Sequence, residues 1–72
     1  MLNSRLENYN DAVQVYETIL NLGYKSSELY YNLGNAYFRQ NMIGQAIWAY
    51  NKALKINPRN SDLIHNLEIV NA

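Results

Sequence analysis

The feature that most constrains this chain is a set of large and small residues at fixed intervals between Tyr30 and Pro58. Tyr30 is followed by Leu33, Gly34 and Tyr37, then by Ala46, Tyr50, Ala53 and Leu54, and finally by Pro58. Steps of three and four residues place the first four on one helix face, and the next four on another. Gly34 and Ala46 are small, which suits a close crossing of two helices packed around buried rings. The spacing predicts one helix over about Ser27–Gln40, capped by Ser26 or Ser27, and a second over about Gly44–Ile56. A turn around Asn41–Ile43 joins them. Asn57 and Pro58 close the second helix, because the residue before a proline is pushed out of helical geometry.

The pattern recurs when it is slid by about 34 residues. Ala12 falls under Ala46, Tyr16 under Tyr50 and Leu20 under Leu54. Asn10–Leu22 is therefore expected to be the second helix of an earlier unit, stopped by Gly23 in a left-handed conformation. Leu2 and Leu6 are expected in the last turns of a first helix before it. Going forward, Ser27, Tyr30, Asn32 and Leu33 map onto Ser61, Ile64, Asn66 and Leu67. Ser61–Ala72 then reads as the first helix of a following unit, with Ser61 as its cap and Asp62 favourable in its first turn. Glu68 stands where Gly34 stood and Asn71 where Tyr37 stood. A carboxylate does not sit in a close crossing without a partner, so this helix reads as a solvated cap. Leu63, Ile64, Leu67 and Val70 are expected on its buried face. The division is residues 1–26 for the end of one unit, 27–60 for a complete one and 61–72 for the capping helix.

This arrangement resembles the tetratricopeptide repeat, a helix-turn-helix unit of about 34 residues. Tyr30 stands in place of its Trp and Tyr50 in place of its Phe. The resemblance implies an all-α fold of antiparallel helix-turn-helix repeats, forming a fragment of a right-handed superhelix. It also implies a protein-protein interaction module without catalytic activity. Within that family, Glu28–Tyr37 and His65–Glu68 are similar to the repeat segment of bacterial aerotolerance (Bat-type) proteins, which are membrane-associated.

In the family, first helices line a concave inner groove. Carried onto this chain, the groove takes Glu28, Tyr31, Asn32, Asn35, Phe38 and Arg39 from the complete unit. Asp62, His65, Asn66 and Ile69 come from the last helix. Tyr31 and Phe38 are the expected apolar anchors for a peptide or helix of a partner. Some members clamp a peptide's terminal carboxylate with groove asparagines and flanking cations. Asn32 and Asn66 are present, but the last helix supplies no Lys or Arg. The alternative function is a self-associating unit that stacks into a homo-oligomer through exposed repeat ends.

Composition narrows the remaining classes. The chain has 72 residues, 49% of them apolar, which suits one small domain. Formal net charge is zero and the six basic residues are scattered. That argues against a nucleic-acid partner or an anionic membrane surface, both of which call for a basic patch. No apolar run approaches a membrane span, and polar residues follow Met1, so no secretory signal is visible. No Cys is present, so disulfides do not stabilise the fold. His65 is the only histidine. Near Asp62 it suggests a proton relay, but no nucleophile accompanies it and one His does not hold a metal. No cofactor or catalytic set is expected. Trp48, beside the core positions Ile47 and Tyr50, is expected near the outer surface.

Overall fold

The computed structural model describes the backbone of residues 2–71 and the side chains of residues 8–71. Among the described residues four helices follow one another: α1 (Leu2–Asn21), α2 (Ser27–Arg39), α3 (Ile43–Ile56) and α4 (Ser61–Asn71). Among the described residues there is no strand. Short connections make successive helices antiparallel neighbours. α2 packs most extensively on α3, α1 lies against α2, and α4 lies against α3. The result is a slab of 37 × 32 × 16 Å.

The helix ends explain why the chain breaks where it does. Gly23 has φ 97°. The N–H groups of Gly23 and Tyr24 donate back to the carbonyls of Leu20 (2.9 Å) and Ile19 (3.3 Å), the paired bonds of a Schellman stop. The end of α2 is built the same way around Asn41, at φ 63°. Its N–H donates to Phe38 and that of Met42 to Tyr37, both at 2.9 Å. Asparagine tolerates this left-handed geometry better than other residues with a side chain. Ser26, in extended geometry, starts α2 by accepting the Leu29 N–H at 3.0 Å. Ser27 is free for another task. Its hydroxyl donates to the Ala53 carbonyl at 3.0 Å and ties the start of α2 to the last turn of α3.

Three expectations need correction. Leu2 and Leu6 do not belong to a separate earlier helix, because α1 is continuous from Leu2. No Gly or Pro interrupts that segment, and its asparagines cost only a few tenths of a kcal/mol each. The side chains of Leu2 and Leu6, and Ala72 as a helix end, lie outside the described residues. Ser61 does not cap α4. The cap is Asn60, whose Oδ1 accepts the N–H groups of Asp62 (3.0 Å) and Leu63 (3.2 Å). Ser61 is already the first helical residue and stands too late for that role. Ile64 is not on the buried face; it is exposed, while Leu63 and Leu67, one turn apart, point into the core.

The core lies between α2 and α3 and extends to both neighbours. Leu33, Ala46, Ala49, Tyr50, Ala53 and Leu63 are almost wholly buried, with Tyr30, Tyr37 and Val13 around them. Three alanines on α3 let its neighbours approach closely. Gly34 has a more specific reason. A Cβ there would sit 2.6 Å from both Cδ1 and Cε1 of Tyr50, so the ring lies directly on the glycine.

Candidate functional site

α2 carries one face into the core through Tyr30, Leu33, Gly34 and Tyr37. The opposite face is the one that the sequence assigns to a partner. On its α4 side, Asn35, Phe38 and Arg39 meet Asn66 and Ile69 around a cleft of about 130 Å³. Phe38 is 38% exposed and Ile69 52% exposed, so two apolar side chains from two helices stand open on one depression. On its α1 side, Asn32, Asn35 and Arg39 line a cleft of about 300 Å³ with Tyr9, Ala12 and Tyr16. Asn35 and Arg39 border both clefts, so the two adjoin across α2.

The remaining expected groove residues are placed differently. Tyr31 is half-buried. Its hydroxyl accepts the Asn66 amide N–H at 3.1 Å, and its ring lies 6.0 Å from that of Tyr50. It is a strut between α2 and α4 more than a free anchor, because desolvated rings in contact stabilise the packing itself. Glu28, Asp62 and His65 are exposed on the helix surfaces and border neither cleft.

Sequence reasoning missed Tyr50 as a groove residue. It is a core side chain, only 1% exposed, yet its hydroxyl emerges at the floor of the α2–α4 cleft and donates to Asn35 Oδ1. The signal was present in the sequence: a Tyr stands where the repeat pattern has Phe, and a buried phenol calls for a polar partner. Burial pushes the Tyr50 phenol above its ordinary range, with a further push from Tyr31, while Arg39 and the Asn66 amide pull it partly back. The α1 tyrosines were missed because the groove was assigned to first helices alone.

These hydrogen bonds orient the amides. Asn35 spends its oxygen on Tyr50 and keeps its N–H groups, while Asn66 spends an N–H on Tyr31 and keeps its oxygen. The cleft therefore offers a donor, an acceptor, the Arg39 cation and apolar walls. Among the described residues there is no cluster of three or more His, Cys, Asp or Glu side chains that could hold a metal. Among the described residues no helix is long and apolar enough to cross a membrane.

Comparison with known proteins agrees with this architecture. The family model described as tetratricopeptide repeat matches residues 27–60, which is the α2–α3 hairpin with its flanking turns. The chain is 36% identical over 61 residues to tetratricopeptide repeat protein 6 of Homo sapiens. That alignment covers 85% of this chain and 12% of the relative, so the chain spans a small part of the protein it matches. Tetratricopeptide repeats are in general protein-protein interaction modules, typically non-enzymatic, and residues 27–60 of this chain are one such repeat.

Proposed function

We propose that the chain docks a peptide or helix of a protein partner in the groove that α2 forms with α4 and α1. The observation that carries this reading is the pairing of Phe38 and Ile69, exposed on one cleft beside the half-satisfied amides of Asn35 and Asn66. Exposed apolar side chains in a concave site with a few oriented polar groups are the usual make-up of a docking hot spot. Arg39 at the junction of the two clefts favours a segment that presents carbonyl oxygens. Tyr31 and Asn32 belong to the same groove, while Glu28, Asp62 and His65 lie on the exposed helix surfaces beyond its clefts. The balanced charge supports a protein partner over nucleic acid. Within the family, the strings Glu28–Tyr37 and His65–Glu68 support a placement among the Bat-type proteins.

Selection of displayed peptides against the folded chain, followed by amide-shift mapping, tests the site. Selected peptides should move the resonances of Phe38, Ile69 and Asn35, and Phe38→Ala with Ile69→Ala should abolish their binding without unfolding the chain. Peptides that bind the double variant as well as the parent would place the interaction elsewhere.

A further inference from the structure

A third cleft lies away from the groove, where α1, α2 and α3 meet. It encloses about 320 Å³ and is walled by Tyr30, Tyr37 and Trp48, with the Glu17 carboxylate and the Lys25 ammonium at its polar edge. Trp48 is 47% exposed. Its ring is held edge-on to Tyr30, with centroids 5.9 Å apart and an interplanar angle of 82°. Tyr37 donates its hydroxyl to Glu17 Oε2 at 3.3 Å, which sets the exposed carboxylate beside the aromatic wall. Burial, and after it the nearby Glu17 charge, pushes the Tyr37 phenol up, so Tyr37 stays a donor at neutral pH.

Aromatic faces carry negative potential, and they attract cations and disfavour anions. The Glu17 carboxylate beside three rings adds to that preference. Lys25 opposes it, but as an exposed side chain on the connection between α1 and α2 it is long, flexible and screened by solvent. The far side of Trp48 is different. Lys52 and Lys55 line it, and Lys52 Nζ already stands 6.0 Å from the ring centroid. The Glu17 side, which carries a carboxylate, is therefore the side that favours an incoming cation.

We infer that the cleft between Glu17, Tyr37 and Trp48 receives an arginine side chain of a partner protein. The guanidinium stacks on the indole and donates to Glu17. Its planar fork suits both contacts better than an ammonium does. This surface is independent of the α2–α4 groove, so the two could engage different parts of one partner.

Titration of the isotope-labelled chain with N-acetyl-arginine methylamide tests the inference. Saturable shifts are expected at the Trp48 indole N–H and the Glu17 amide, with weaker ones from the lysine analogue and none from the glutamate analogue. Glu17→Gln keeps an oxygen for the Tyr37 hydroxyl and preserves the fold. It should raise the Kd about tenfold or more, as expected for loss of a charge-assisted hydrogen bond. Lys25→Gln should lower the Kd. Shifts that do not saturate, an unchanged Kd in Glu17→Gln, or equal binding of the glutamate analogue would each overturn it.

Discussion

Adding one methyl group at Gly34 should destabilise the protein, although the same change is normally favourable inside a helix. Replacing a helical glycine with alanine gains about 0.5–1 kcal/mol through reduced backbone entropy. Gly34 has ordinary helical geometry, so nothing in its backbone forbids a side chain. What forbids it is Tyr50. The new Cβ would lie 2.6 Å from Cδ1 and Cε1 and 3.2 Å from Cγ. Carbon atoms pack at about 3.5–4.0 Å, so the ring or the helix must shift by about 1 Å. Tyr50 has little freedom to do so. It is almost wholly buried, its hydroxyl is held by Asn35, and Tyr31 lies against its ring. Overpacking of this kind costs about 1–3 kcal/mol. After the propensity gain, the net loss centres on about 1 kcal/mol, which lowers the Tm by about 4–8 °C in a domain of this size.

Gly44 is the internal control. It lies in the first turn of α3, and a Cβ there would meet nothing within 4 Å. Gly44→Ala should be neutral or stabilising by up to about 1 kcal/mol. Thermal and urea melts followed by circular dichroism compare the two variants directly, and Tyr50→Leu should recover part of the Gly34→Ala loss in a double-mutant cycle. If Gly34→Ala melts at or above the parent temperature, the assigned helix crossing is wrong.

Three other outcomes follow from particular bonds. Asn60→Ala should cost about 1 kcal/mol through loss of the α4 cap, while Ser61→Ala should be nearly neutral in the same urea melt. Tyr37 and Tyr50 both have phenols raised by burial above the unfolded value of about 10. The folded state therefore holds their protons more tightly. That stability is fully present below pH ~10 and is lost as pH rises through the raised folded values. Tyr37→Phe should flatten this alkaline loss in urea midpoints taken from pH 8 to 11. Acidic C-terminal peptides should bind weakly in a calorimetric titration at low salt, because Arg39 faces the groove without a cation from α4 and Asp62 stands on that helix. Micromolar binding that disappears in Asn32→Ala would contradict this.

The elements were legible because their signals are local. Helical spacing, Ser26, Gly23 and Pro58 each act over a few residues, and the α2–α3 hairpin follows from them. The cap at Asn60 was missed because Asn and Ser stand side by side and both are good caps; only the backbone path decides between them. The face of α2 opposite the core was legible, since spacing alone fixes which residues oppose the core. It was not legible as a surface shared with α1 and α4, because that depends on how far each helix approaches its neighbour. Tyr31 shows the difference. Spacing sets it apart from the core positions of α2, yet its ring packs against Tyr50 and its hydroxyl reaches Asn66, and both contacts depend on tertiary distances.

The same distances bear on whether copies of the chain stack end to end. α1 corresponds in register to α3, and α4 to α2, so α4 of one copy set on α1 of another would imitate the complete repeat. Within the chain that packing works because Gly34 seats the Tyr50 ring and because Ala49 and Ala53 are fully buried. In the composite pair, Glu68 would meet Tyr16, and Val15 and Ile19 would replace the two alanines. A single Cβ already comes within 2.6 Å of the ring at the Gly34 position, and glutamate adds bulk and a charge with no partner. Val15, 55% exposed on α1, would further hold the helices apart. Both surfaces thus oppose repeat-like stacking, and the chain is expected to remain monomeric in sizing with light scattering across a concentration series. A mass that rises with concentration, and falls back to the monomer in Val15→Asp, would show that copies pair through α1 despite this mismatch.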